Sequence, residues 1–120
     1  MRRLFQISGW LLLLAIAVLS LVPPAYRPET DLSHTFEHLA TFLITGVAFG
    51  LADANRYVSR IVLLIAFVGF IEVAQLLVPG RHARLSDFLL DALGVSIGVG
   101  LGHLAARRIS ASASPPLARD

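Results

Sequence analysis

Four stretches of the chain run nearly free of charge: Leu4 to Val22, Ser33 to Ala52, Val58 to Val78 and Asp87 to Ala106. Each approaches the about 20 mainly apolar residues that a helix needs to cross a hydrocarbon layer of about 30 Å. Between them lie helix-breaking and polar residues: Pro23 and Pro24 with Glu29 and Asp31, then Asp53 to Arg56, then Pro79-Gly80 with Arg81 and Arg84. The pattern predicts four transmembrane helices separated by short connections. The first run follows Arg2 and Arg3 as a secretory signal would. Leu21-Val22-Pro23-Pro24 stands where a small-residue cleavage site is needed, so the run is read as a retained first helix.

Composition agrees with the pattern. Of 120 residues, 56% are hydrophobic and 15% charged, against about 25% charged in soluble domains. With a mean hydropathy of +0.74, such a chain cannot cover a globular surface. The expected fold is an all-α membrane protein, a bundle of four transmembrane helices. One domain spans residues 1–109, and residues 110–120, rich in Ser, Ala and Pro, form a disordered cytoplasmic tail.

The net charge of +2 comes with ten basic residues, all Arg, placed at the ends of the apolar runs. That placement speaks for topology and against nucleic acid. With the N-terminus inside, Arg2, Arg3, Arg56, Arg60, Arg107, Arg108 and Arg119 lie on the inner side and Arg27, Arg81 and Arg84 on the outer, seven against three. Both termini are therefore expected inside, in a bacterial cytoplasmic membrane crossed several times. The absence of cysteine removes disulfides, thiolate metal sites and thiol nucleophiles.

Lipid supplies no hydrophobic drive between helices, so packing must come from small residues. Gly94, Gly98 and Gly102 recur along one stripe of helix four, and Gly46 and Gly50 repeat the spacing on helix two. They read as packing faces within the bundle, or between copies of the chain.

A carboxylate inside a span costs about 2.5 to 3.5 kcal/mol on insertion scales, which makes each one a candidate for function. Glu72 precedes Pro79 by seven residues, about 10 Å below the outer end of an uninterrupted helix three, with Gln75 on its face. Asp91 lies one turn below Asp87 on the glycine-bearing face of helix four; Asp87 follows Ser86, an apt N-cap. His34, Glu37 and His38 share a face at the start of helix two. His38, Glu72, Gln75, Asp87 and Asp91 thus fall at one depth near the outer surface, beneath Arg81 and Arg84. These arginines either pair with the carboxylates or hold an anionic group such as phosphate. HTFEH at 34–38 also fits a zinc-peptidase pattern, a weak signal without a third ligand. No metal or cofactor is assigned.

SLVP at 20–23, EHLATF at 37–42 and EVAQLLVPGRHARLSD at 72–87, with the spacing from Asp87 to Gly94, resemble the VanZ-like family of small bacterial membrane proteins over about residues 18–100. The family pattern falls on His38, Glu72, Gln75, Pro79, Gly80, Arg81, Ser86, Asp87 and Gly94. This chain has Thr35 where the family commonly has Lys, and Asp91 where it commonly has Asn. The namesake is linked to teicoplanin resistance. The resemblance implies the four-helix fold and brings no defined activity.

The leading expectation is a binding site facing the outer leaflet, formed by His38, Glu72, Gln75, Arg81, Arg84, Asp87 and Asp91. It would bind or modify a lipid-linked or phosphate-bearing envelope molecule and so affect glycopeptide or envelope-stress resistance. An enzyme variant would use Glu72 or Asp91 as general acid or base with His38 as partner. The alternative is a membrane scaffold whose polar cluster only ties helices together. A transporter is disfavoured because the inner halves of the spans read as apolar.

Overall fold

The computed structural model describes residues 1–26 and 33–112, without the side chains of His34 and Ala54. Arg27, Glu29, Asp31, Arg119 and the rest of 113–120 lie outside the described residues. The described chain is four α-helices with two single-turn 3₁₀ segments: α1 Arg2–Leu21, α2 His34–Ala52, α3 Tyr57–Gln75 and α4 Leu85–Ser112, the 3₁₀ turns being Pro24–Tyr26 and Ala54–Arg56. All four helices are long and apolar enough to cross a membrane.

The ends follow from local chemistry. Pro23 and Pro24 follow α1, and the backbone turns extended at Val22. Ser33 caps α2, its hydroxyl accepting from the Phe36 N–H at 3.3 Å. The third helix was expected to reach Val78 and stops at Gln75. Val78 precedes a proline, which disfavours helical backbone there. The chain closes a turn with Arg81 N–H on the Val78 carbonyl at 3.1 Å, Gly80 taking φ +79° as the third residue of a type II turn requires. Glu72 therefore sits in the last turn of α3, shallower than the uninterrupted helix implied.

The fourth helix starts two residues earlier than expected and runs to Ser112, about 42 Å at 1.5 Å per residue. It so takes in the first three residues of the expected tail. The Arg84 carbonyl accepts from Asp87 and Phe88 N–H, which makes Arg84 the capping position and puts Ser86 inside the first turn.

The centre of the bundle is the α2–α4 pair, with α1 against α2 and α3 against α4. The two central helices run in the same direction, glycine face to glycine face. A Cβ at Gly46 would stand 3.0 Å from the Gly98 Cα, and one at Gly50 2.9 Å from the Gly102 Cα. A Cβ at Gly94 would stand 3.1 Å from the Leu39 carbonyl. These faces are thus occupied by each other within one chain. Phe49, Leu64, Val95 and Val99 are wholly buried beside them, joined by Leu13 and Ile16 of α1, Phe42 of α2 and Val68 of α3. Leucine, isoleucine, valine and phenylalanine cover much of the outward surface, as lipid contact requires.

Candidate functional site

At one end of the bundle α2 and α4 are joined by a polar pair. His38 Nδ1 lies 3.1 Å from Oδ1 and 3.0 Å from Oδ2 of Asp91. Asp91 is buried, only 4% exposed. The pair stands one turn above the contact of Gly94 with Leu39 and Leu43, so close backbones bring short side chains within bonding reach. With Asp91 ionised, its oxygens only accept; Nδ1 then carries the proton, and exchange with a bound molecule falls to Nε2.

His38 forms one wall of a small open-sided recess of about 70 Å³, lined also by Ile16, Leu19, Ser20, Glu37, Thr41, Phe42, Gln75 and Arg81. Two of the polar residues are held by the end of α1. The last carbonyls of a helix have no partner within it. Here Arg81 Nη2 donates to Leu19 O at 2.8 Å and Val22 O at 2.9 Å, and its Nε to Val22 O at 3.3 Å. Gln75 Nε2 donates to Ser20 O at 3.4 Å. A cation at a helix C-terminus also meets the negative end of the dipole. Arg81 thus anchors α1 through backbone oxygens while lining the recess.

The remaining predicted residues stand beside the recess without lining it. Glu72 Oε1 accepts from the Arg84 N–H at 3.2 Å. From another helix it does what the third-position glutamate of a capping box does for its own. The Arg84 side chain is exposed. Asp87 Oδ1 accepts from the Ser86 hydroxyl at 3.3 Å in the first turn of α4. Asp87, Asp91 and His38 are all near enough to Glu72 to act on its carboxyl electrostatically. The expected cluster is therefore one neighbourhood in two layers, with His38, Gln75 and Arg81 facing the recess and Glu72, Asp87 and Asp91 behind or beside them. Among the described residues no three His, Asp or Glu side chains are placed to share a metal ion. The His34 side chain lies outside the described set.

A model of the VanZ/LLP1 family matches residues 12–106. The chain belongs to the VanZ/LLP1 family. No curated protein and no solved structure matches it. The matched segment begins in α1 and ends in α4, so it contains the whole polar neighbourhood described above. Family membership together with four spanning helices makes the chain a multi-pass membrane protein.

Sequence reasoning missed some of the recess. Thr41 lines it and was signalled by standing three residues after His38 on one helix face. The α1 carbonyls leave no mark in a sequence except the Pro-Pro that ends the helix. The opposite end of the bundle, read as apolar, holds Tyr57 and Arg60 in α3 and His103 in α4.

Proposed function

We propose that the recess beside the His38–Asp91 pair binds the polar, phosphate-bearing head of a lipid-linked envelope molecule at the outer face of a bacterial cytoplasmic membrane. Through that ligand the protein would affect glycopeptide or envelope-stress resistance, in keeping with the family namesake. The observation that carries this reading is the recess itself. It is open-sided and holds Glu37, His38, Gln75 and Arg81 on polar walls and Ile16, Leu19 and Phe42 on apolar ones, a mixture that on this reading suits a headgroup and the start of its chains. The Asp91 carboxylate orients His38, which can donate to a phosphate oxygen or exchange a proton with it. The outer location rests on the arginine tally.

A second reading has its own observation. Gln75, Arg81 and Glu72 all bond to backbone groups of this chain, as a purely structural cluster would.

The two separate on binding of a polyprenyl monophosphate to the purified protein in nanodiscs. His38→Ala should lose most of that binding and His38→Phe all of it, compared in variants whose helical content and unfolding show a folded bundle. Equal binding by wild type and folded variants would leave the structural reading.

A further inference from the structure

At the end remote from His38, α2, α3 and α4 converge on polar side chains that the recess does not use. Tyr57 and Arg60 stand one turn apart on α3 and so share a face. The Tyr57 ring lies 4.9 Å from the His103 ring, inclined at 47°, and its hydroxyl reaches over Gly100 of α4. The Arg60 guanidinium carbon lies 5.3 Å from the centroid of the Phe49 ring. Phe49 neighbours Gly50, where an added Cβ would stand 2.8 Å from the His103 N. Tyr57, Arg60, Phe49 and His103 thus meet at one junction of three helices.

Two features mark this junction. Among the described residues, the buried side-chain nitrogens or oxygens without a hydrogen-bond partner are Arg60 Nε and His103 Nδ1, and both are here. A buried group left unbonded typically costs about 1–3 kcal/mol. The charges nearby are also mainly positive. Arg56 precedes Tyr57, and Arg107 lies one turn beyond His103 with Arg108 beside it. The described carboxylate of this connection, Asp53, is engaged by Arg56 at 3.4 Å. Among the described residues no carboxylate forms an ion pair with Arg60, and a planar guanidinium suits phosphate oxygens.

We propose that this junction is a second binding site, independent of the His38 recess, that takes a phosphate group. Arg60 supplies the cation and the Tyr57 hydroxyl and His103 imidazole supply further hydrogen bonds. Tyr57, the exposed member, marks the side of entry. The phosphate comes either from an anionic phospholipid in the leaflet at that end or from free phosphate, and the chemistry of recognition is the same.

The test uses the full-length chain in nanodiscs of phosphatidylcholine, with phosphatidylglycerol added in one arm and inorganic phosphate in the other. The readout is thermal unfolding, with native mass spectrometry of retained lipid. Phosphatidylglycerol should raise the midpoint of the wild type and remain bound. Arg60→Gln should weaken that binding by roughly tenfold or more, whereas Arg108→Gln, which removes the same charge from the same end, should leave it unchanged. Tyr57→Phe removes one hydroxyl and no packing, and should weaken binding by a smaller factor; it decides the matter if Arg60→Gln does not fold. Equal protection by inorganic phosphate in neutral lipid would identify the free ion as occupant. Equal losses in Arg60→Gln and Arg108→Gln, or no effect of either anion on the wild type, would overturn the site and leave Arg60 as an interfacial anchor. A Tyr57→Phe variant indistinguishable from wild type would overturn the assignment of the hydroxyl, and the site itself where Arg60→Gln does not fold.

Discussion

His38 of α2 and Asp91 of α4 form a tie between the two central helices, Nδ1 standing 3.0 and 3.1 Å from the two carboxylate oxygens. The tie lies one turn from the glycine contact, so packing and polar bonding specify the same register of α2 on α4. Shifting either helix by one residue would separate the pair and drive a side chain into backbone.

Replacing Asp91 should therefore separate shape from charge. Asp91→Asn keeps an acceptor for Nδ1, and the bundle should remain close to wild-type stability. Asp91→Ala leaves His38 partly buried with its Nδ1 unbonded, and should lose about 1–3 kcal/mol in detergent unfolding titrations. An alanine variant as stable as wild type would show that the tie adds nothing to the fold.

Two glycine substitutions with opposite expected signs test the α2–α4 face. A Cβ at Gly98 would collide with the Leu43 carbonyl and stand 3.0 Å from the Gly46 Cα. These are backbone atoms, which cannot rotate aside. Gly98→Ala should destabilise by about 1–3 kcal/mol. At Gly69 the nearest atom would be Phe88 Cε2 at 3.5 Å, an ordinary contact. Gly69→Ala should be neutral or stabilising by up to about 1 kcal/mol through helix propensity. Parallel unfolding curves for the two variants decide the matter, and equal losses would contradict the asymmetry.

The number of helices and the glycine faces were legible in the sequence because lipid demands long apolar runs and close backbones. Helix ends were less so. Leu76, Leu77 and Val78 are as apolar as the helix before them, and it is the turn geometry of Pro79-Gly80 that releases them from α3. At the other extreme Ser110 to Ser112 read as tail yet continue α4 beyond Arg107 and Arg108, since a helix needs no apolar residues outside the membrane. The His38–Asp91 pairing was visible as a coincidence of depth. The partners of Arg81 and Gln75 were not, because a backbone carbonyl is present at every residue and only a fold decides which ones need a donor.

Arg81 gives the third prediction. Its guanidinium serves Leu19 and Val22 carbonyls together, which a lysine ammonium on a flexible stem matches poorly. Arg81→Lys should leave the helices intact while loosening the end of α1, with hydrogen exchange across residues 19–26 faster by about tenfold, the equivalent of one lost hydrogen bond. Gln75→Ala should act on the same segment more weakly, since its bond to Ser20 is longer. Unchanged exchange in both variants would show that the end of α1 is held by apolar packing alone.

The orientation of the bundle is open to a direct test because the chain has no cysteine of its own, so a single introduced thiol gives an unambiguous signal. His82, in the connection between α3 and α4, and Asn55, in the connection between α2 and α3, are both exposed, and substitution at either disturbs little. The excess of arginine at the Asn55 end predicts that it faces the cytoplasm. His82→Cys in intact cells should react with a membrane-impermeant maleimide, and Asn55→Cys should react only after permeabilisation. The reverse pattern would place the His38 recess on the cytoplasmic face, where an envelope molecule awaiting export, rather than one already displayed outside, would have to be its ligand. The Arg60 junction would then meet the outer leaflet, with its phosphate chemistry unchanged.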